Sequence, residues 1–469
     1  MEQQKGSTGK LGIKTKAGYA VASIGDSASY TFINTYLVFF LTTVAGVDAA
    51  VAGAIAAAGA ILDAAWGPII GYISDNSKSP HGRRRPFIFR AAFPLAVASA
   101  LLFTKVGGGG GLSILYYAAL AMGFWVAFAT YFVPYATLGA EITDDYDERS
   151  SIRSFAYVGN QIGMFFGMAS PPFIVGVCVS LGSAGRIGWT AAGVTVGLVV
   201  FISLMITVRA TRGRERAAAA VPAGNAEGNA EKAGFKPMLL GYREILGLKP
   251  MRILVVAAIL ALVSFTMCSS ARMYFFTYNL GLSESISSII MLIYISGGIV
   301  FAPFVLKLSQ RLDRRRALII GSVISSALLL AQYAFGISTF AGACAMVLTF
   351  SLFSTSYWQL MPAIIYDICE LDELENGVRR EGSVVSILSF SEAISSAIAL
   401  QLLGVILKIS GFSGELQTQP DTALVGVGIC AVVLPAALSL ATAITMRFYP
   451  IGKKEFENIR KELERKRGE

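Results

Sequence analysis

Residues 83–88 read RRRPFI and residues 314–319 read RRRALI, so a short basic motif returns after 231 positions. A second pair keeps the same interval, because Arg149 in DERSSIRS corresponds to Arg380 in VRREGSVVS. Self-similarity at a fixed interval indicates two copies of one structural unit. We therefore predict a chain built from an N-terminal and a C-terminal repeat.

The chain is more apolar than a soluble protein. Its 469 residues are 54% hydrophobic and 15% charged, with a mean hydropathy of +0.62, whereas soluble chains carry about a quarter charged residues. A bilayer core needs about 20 apolar residues per helix. The sequence predicts an all-α membrane protein with twelve transmembrane helices, at 18–43, 50–75, 86–105, 112–140, 154–181, 187–209, 252–279, 284–306, 317–336, 338–366, 383–409 and 422–447.

One polar interruption divides these spans into six and six. Residues 213–236, GRERAAAAVPAGNAEGNAEKAGFK, have the composition of a flexible linker. Two six-helix repeats are typical of the major facilitator fold, whose halves rock about a central site. We predict an N-terminal six-helix half at 1–209, a cytoplasmic linker at 210–250, a C-terminal six-helix half at 251–449 and a cytoplasmic tail at 450–469.

Basic residues predict the orientation. All but four of the 39 lysines and arginines fall on one side if both termini are cytoplasmic, which satisfies the positive-inside rule. We therefore expect a multi-pass protein of the cell membrane, and the net charge of +9 requires no nucleic-acid partner. The tail is expected to form a charged helix, either solvated or resting on anionic lipid headgroups.

Five motifs in the same order carry a family resemblance: Gly25-Asp26, Asp63 with Pro68, GRRRPFI, TDDYDERSSIRS, and YDICELDELENGVRREG. Together they resemble the glycoside-pentoside-hexuronide:cation symporters of the major facilitator superfamily. The resemblance covers nearly the whole chain. It implies import of a sugar by alternating access, coupled to a cation, across the cell inner membrane.

Three positions depart from the family pattern. The second acid of the family's sodium site falls on Gly67, its sugar-binding acid in the fourth span falls on Phe132, and its lysine in the eleventh span falls on Ala393. A hard cation needs several oxygen ligands, which one carboxylate and a glycine cannot supply. We therefore expect H⁺ as the coupling ion, with Na⁺ as the alternative, and no other cofactor.

Charged residues inside spans are rare and are functional candidates by default. Asp63, Asp26 and Glu392 are the candidates for proton or cation coupling, with structural, silent acids as the alternative. Arg272 either pairs with Glu392, holds a substrate carboxylate in a bidentate fork, or extends to the membrane interface.

Aromatic side chains supply the remaining substrate candidates. Tyr30, Tyr131 and Tyr274 lie inside spans whose equivalents line the cavity in the resembling family, and Phe132 takes the place of its sugar-binding acid. Tyrosine and tryptophan also anchor membrane helices at the headgroups without specific function. With a single histidine, His81, and unpaired cysteines, we expect no metal site and no catalytic site; the chain is not predicted to be an enzyme.

Interleaved acids and bases near the cytoplasmic ends of both halves suggest a gate that ion pairs close. The alternative is a solvated basic rim that only sets topology. The gate candidates are Asp75, Arg84, Arg85, Asp147, Arg149, Arg153, Arg379, Arg380 and Glu381, with Arg83, Asp144, Glu148, Asp367 and Glu370 nearby.

Several functions remain open on the sequence alone. A proton-coupled sugar importer fits best, and loss of the second acid at Gly67 would also suit an uncoupled facilitator. The Phe-rich spans and Phe132 would suit a transporter of lysolipids or other amphiphiles. A non-transporting sensor is disfavoured, because we find no appended soluble domain. We expect a monomer in the lipid bilayer with a small-molecule substrate.

Overall fold

The computed structural model describes residues 11–75, 77, 79, 82–142, 146–213, 243–377, 381–414, 416 and 418–468. Within these residues the chain is helical and contains no strand. Among the described residues, eleven segments are long and apolar enough to cross a membrane by length and composition. The first helix is not among them, because its serines, threonines, Asn34 and Asp26 lower its mean hydropathy.

The helices are numbered here in chain order. They are α1 Ile13–Phe39, α2 Ala49–Asp75, α3 Arg85–Leu102, α4 Gly111–Glu141, α5 Tyr146–Met164, α6 Ser170–Ser180, α7 Gly185–Ala210, α8 Lys249–Tyr274, α9 Glu284–Arg311, α10 Arg314–Phe335, α11 Phe340–Asn376, α12 Glu381–Ile409, α13 Asp421–Gly428, α14 Leu434–Arg447 and α15 Lys453–Gly468. The tail thus forms a helix, as its charge spacing predicts.

Four five-residue π-helical segments continue these helices without a break: π1 Phe40–Val44 after α1, π2 Phe165–Ala169 after α5, π3 Phe275–Asn279 after α8 and π4 Ile429–Val433 after α13. Such wider turns are uncommon and often occur at functional sites. Two of them, π1 and π3, continue the first helix of the N-terminal repeat and the first helix of the C-terminal repeat.

Contacts group the chain into two compact units. Unit 1 contains residues Met1–Ile33 and Leu62–Pro222, and unit 2 contains Asn34–Ile61 and Ala223–Glu469. The end of α1, with π1, and the beginning of α2 therefore pack with the C-terminal helices. The sequence, by contrast, divides the chain only at the linker, and that division into halves stays a prediction.

Small residues let helices pack closely within each unit. In unit 1, a Cβ on Gly159 of α5 would lie 2.5 Å from the carbonyl oxygen of Ala20 in α1, and Gly163 and Gly167 meet α1 in the same way. In unit 2, a Cβ on Gly53 of α2 would lie 2.7 Å from the carbonyl oxygen of Leu400 in α12. The glycines bring backbones together, as they do in membrane helix pairs.

One arginine of each RRR motif, Arg85 or Arg315, bonds to the C-terminal end of a later helix in its own unit, although these two arginines differ by one position from the 231-residue interval. Arg85 Nε donates to the carbonyl oxygen of Val208 at 2.8 Å, near the C-terminal end of α7. Arg315 donates to the carbonyl oxygens of Met446 and Arg447 at 3.1 and 2.6 Å, at the end of α14. A cation is favourable at a helix C-terminus, where carbonyl groups lack intrahelical partners.

Candidate functional site

An acid–tyrosine pair joins α1 to α4 in unit 1. The Tyr131 hydroxyl donates to Asp26 Oδ1 at 2.5 Å. Tyr131 is fully buried, and Asp26 is half-buried. Asp63 of α2 is also half-buried and lies close enough to act electrostatically on the Tyr131 hydroxyl. Two of the three predicted coupling acids therefore act on one phenol, Asp26 through a hydrogen bond and Asp63 electrostatically.

Aromatic rings surround this pair. Tyr30 packs edge-on against Trp125 and tilted against Phe128, with ring centroids 5.9 Å apart in both cases. Phe132 stacks on Phe128 at 5.7 Å and is 39% exposed. Of the predicted substrate residues in unit 1, Phe132 and Tyr30 are thus accessible, whereas Tyr131 supports Asp26 from within the fold.

The turn of α2 that departs from the family pattern contains a tryptophan anchor. Trp66 Nε1 donates to Thr130 Oγ1 of α4 at 3.0 Å. Beside it, Gly67 leaves room, because a Cβ there would meet only Val133 Cγ2, at 3.9 Å. Where the family has a second acid, this chain has a glycine next to a tryptophan that ties α2 to α4.

Arg272 lies at the end of α8 in unit 2, and its side chain is 1% exposed. Nη1 donates to Met291 Sδ at 3.6 Å, and Nη2 donates to Cys268 Sγ at 3.5 Å. Its guanidinium carbon lies 4.3 Å from the Tyr294 ring centroid and 5.9 Å from that of Phe350. Nε is buried without a hydrogen-bond partner.

These contacts decide between the alternatives for Arg272. Extension to the membrane interface is wrong, because the side chain is buried. The ion pair with Glu392 is not formed, since among the described side chains the partners of Arg272 are sulfur atoms and aromatic rings. Glu392 is instead half-buried on α12 and interacts electrostatically with Tyr357 of α11.

A ladder of hydrogen bonds connects α1 and π1 with α8 and π3, at their predicted outer ends within unit 2. Thr35 and Ser269 share a hydrogen bond of 2.9 Å, and Ser270 donates to the carbonyl oxygen of Asn34. Further out, the hydroxyls of Thr42 and Tyr274 are 2.6 Å apart, and Tyr278 donates to Thr43 at 3.3 Å. We call these four contacts the outer ladder.

The outer ladder changes the interpretation of Tyr274. Its side chain is fully buried, and its ring packs edge-on against Phe39 and Phe412. With the hydroxyl bonded to Thr42, this tyrosine does not face open space in the structure. Sequence reasoning missed the ladder. The available signal was the recurrence of hydroxyl residues in the two helices at intervals of 232 to 235, close to the repeat interval.

Most of the predicted cytoplasmic gate falls outside the described side chains: Asp75, Asp147, Arg149, Arg153, Arg379, Arg380 and Glu381. Two members are described. Arg84 is 4% exposed and donates to Ser74 Oγ at 2.7 Å, and Arg85 holds the end of α7. Both arginines thus have partners inside unit 1.

One ion pair is well defined near the same predicted end of unit 2. Arg314 Nη1 donates to Asp367 Oδ1 at 2.6 Å, with Asp367 6% exposed. The guanidinium of Arg314 also lies 5.8 Å from the ring centroid of Phe456 in the tail helix. Burial raises the pKa of the neighbouring Tyr449 phenol, and the charge of Asp367 raises it further.

Comparison with known proteins identifies one family over nearly the whole chain. Residues 18–453 match the family model described as MFS/sugar transport protein. An uncharacterized symporter of Synechocystis sp. is 27% identical, over 97% of both chains. A glucuronide carrier protein homolog of Escherichia coli K12 is 22% identical, over 98% of this chain and 97% of the relative. An isoprimeverose transporter of Lactiplantibacillus pentosus is 22% identical, over 93% and 88%.

Solved structures agree on the fold. A D-xylose–proton symporter superposes with a TM-score of 0.63 at 15% identity, covering 94% of this chain and 98% of that one. At this identity the likeness concerns the fold alone. It matches the helical architecture that the repeat and the hydropathy predict.

Proposed function

Since the chain belongs to the MFS/sugar transport protein family and is a glycoside-pentoside-hexuronide:cation symporter of the major facilitator fold, we propose that it imports a sugar by alternating access together with H⁺ rather than Na⁺. It is a transporter rather than an enzyme, as its relatives are. The observation that carries the choice of ion is the grouping of Asp26 and Asp63 around the Tyr131 hydroxyl.

This grouping supports a proton relay. A membrane-embedded carboxylate is held most easily as a neutral acid or in a hydrogen bond. Asp63 is the proton carrier in this proposal. Asp26 is its partner, and the Tyr131 hydroxyl holds Asp26 in place from α4. Glu392 of α12 is the third acid of this proposal and interacts electrostatically with Tyr357.

The α2 turn supports H⁺ over Na⁺. Oxygen-liganded cations take several oxygens at once, and the position of the family's second acid is Gly67. The neighbouring Trp66 uses its N–H as a donor to Thr130, so it offers no ligand to a cation. A proton needs one carboxylate, which this turn retains in Asp63.

The topology completes the proposal. We place twelve spans in two six-helix halves, counting α1 as the first, with both termini cytoplasmic and the protein a monomer in the cell inner membrane. Residues 379–381 and the acids and arginines that follow the second and fourth spans form the cytoplasmic gate. The outer ladder then closes the opposite end, where its hydrogen bonds connect the first and seventh spans.

The test is uptake into proteoliposomes under an imposed pH or Na⁺ gradient, with a panel of neutral glycosides, pentosides and uronides. Asp63→Asn removes the proposed carrier, and Asp421→Asn, an exposed acid at the start of α13, serves as the matched control. We expect accumulation driven by the pH gradient in the parent and in Asp421→Asn. In Asp63→Asn the same sugar should only equilibrate.

Other outcomes would contradict specific parts of this proposal. Accumulation driven by Na⁺ would mean that oxygens elsewhere complete a cation site. Equilibration that ignores both gradients and the Asp63→Asn change would indicate a facilitator. A second candidate, transport of a lysolipid or another amphiphile, is favoured by the exposed stack of Phe132 on Phe128. Uptake of a lysolipid without any sugar in the panel would establish it.

A further inference from the structure

Arg272 carries a charge that the surrounding protein does not balance. Its guanidinium is fully buried, and arginine stays protonated in proteins. Two of its N–H groups end on the sulfur atoms of Cys268 and Met291, which are weak acceptors. The third nitrogen, Nε, has no hydrogen-bond partner. No carboxylate is among its contacts within the described side chains.

Aromatic rings compensate only part of this charge. The faces of Tyr294 and Phe350 attract the guanidinium, but a ring accepts no strong hydrogen bond from the in-plane N–H groups. Removing a cation from water without an anion is unfavourable. The site therefore has the donors and the charge for an acid group and lacks the acid.

The outer ladder includes residues next to Arg272 on the same helix. Ser269 and Ser270 of the ladder lie three and two residues before Arg272 on α8, and Tyr274 lies two residues after it. Tyr36 of α1 is close enough to interact electrostatically with the guanidinium. Because Arg272 is 1% exposed, an anion can reach it only after the packing around it opens. We place that opening at the α1–α8 contacts of the outer ladder, whose closure would then enclose the bound anion.

We propose that Arg272 is a binding residue for the acid group of an anionic substrate, a carboxylate or a sulfonate, which takes Nε–H and one Nη–H in a fork. Such bidentate pairs are the strong form of this interaction. The acid group supplies the missing negative charge when the outer ladder closes, so an anionic sugar favours closure more than its neutral analogue. This inference rests on the proposed sugar transport and specifies its substrate class.

The test compares two ligands that differ only in the group at C6: 4-nitrophenyl β-D-glucuronide, which has a carboxylate there, and 4-nitrophenyl β-D-glucoside, which has a neutral hydroxymethyl group. Thermal unfolding of the purified full chain reports binding, since a ligand of the native state raises the unfolding temperature. We expect the glucuronide to stabilise the parent more than the glucoside does. In Arg272→Gln, the affinity for the glucuronide should fall by about thirtyfold or more, whereas affinity for the glucoside stays within about threefold.

Two further variants keep this test decisive. Arg272→Met replaces the charge with an apolar chain of similar length that suits the sulfur and aromatic surroundings, and should lose glucuronide binding in the same way. Its unfolding temperature without ligand should equal or exceed that of the parent, because a buried unpaired charge is gone. Arg186→Gln, which removes an exposed arginine, should leave both ligands unaffected.

Several results would overturn the inference. These are unchanged glucuronide binding in Arg272→Gln, equal loss of both ligands with a lower unfolding temperature in all Arg272 variants, or no binding of the glucuronide to the parent. Chloride that stabilises the parent as much as the glucuronide, through Arg272, would identify an inorganic anion instead. Failure of the proposed transport would be seen separately, as absence of gradient-driven sugar uptake, because the unfolding measurement needs no gradient.

Discussion

Tyr131 of α4 donates its hydroxyl hydrogen to Asp26 of α1 across 2.5 Å, from a position with no solvent exposure. The tyrosine was expected to touch substrate, and the aspartate to carry protons. The structure makes the first a support for the second. Three consequences of such contacts can be measured.

Tyr131→Phe removes this hydrogen bond and keeps the ring. A hydrogen bond to a carboxylate contributes about 1 to 3 kcal/mol, so we expect unfolding free energy to fall by that amount and proton-driven uptake to weaken. The control is Tyr116→Phe, whose hydroxyl donates to the Leu101 carbonyl on the exposed face. Equal stability of Tyr131→Phe and the parent would show that the Asp26 contact contributes nothing.

Tyr274→Phe weakens the outer ladder at its bond to Thr42. Loss of one hydrogen bond of about 1 kcal/mol changes a two-state population about fivefold. Cys268 is 2% exposed and precedes the ladder residue Ser269 on α8, so we expect its reactivity to report the opening of the ladder. When the other four cysteines are replaced by alanine, a membrane-impermeant maleimide should label Cys268 about fivefold faster in Tyr274→Phe than in the parent. In the same background, Cys268 in Tyr116→Phe should be labelled at the parental rate. A parental rate in Tyr274→Phe would show that the ladder is not a barrier to access.

Arg314→Gln removes the partner of the buried Asp367. An acid left without its charged partner should lower the unfolding free energy by about 1 to 3 kcal/mol, and chemical denaturation would measure the loss. Arg316→Gln is the comparison, since its contact with Asp313 is 3.7 Å long and exposed, where ion pairs contribute at most about 1 kcal/mol. A larger effect at Arg316 than at Arg314 would contradict this ranking.

Composition and the repeated motif predicted the helical membrane fold, because bilayer thickness fixes the length of an apolar helix. Asp26, Asp63, Glu392 and Arg272 could be singled out for the same reason, as charges in apolar surroundings. The contacts of Arg272 could not be predicted, since Met291, Tyr294 and Phe350 come from α9 and α11. Their approach to α8 depends on packing that no local pattern encodes.

Tyr274 shows the same limit of prediction from sequence. Its type and its place inside a span suit a sugar-stacking residue, and serines, threonines and tyrosines of membrane helices serve equally well as links between helices. Only the position of Thr42 opposite its hydroxyl distinguishes these roles. The π-helical turns that contain Thr42 and Tyr278 likewise follow from no residue type in the sequence.

The arginine contacts at the ends of α7 and α14 also constrain when each unit can be completed during biosynthesis. Arg85 is synthesised 123 residues before Val208, and Arg315 is synthesised 131 residues before Met446. Neither contact can form until the intervening helices have left the ribosome. Each of these contacts can therefore form only after the last helix of its own repeat has been synthesised.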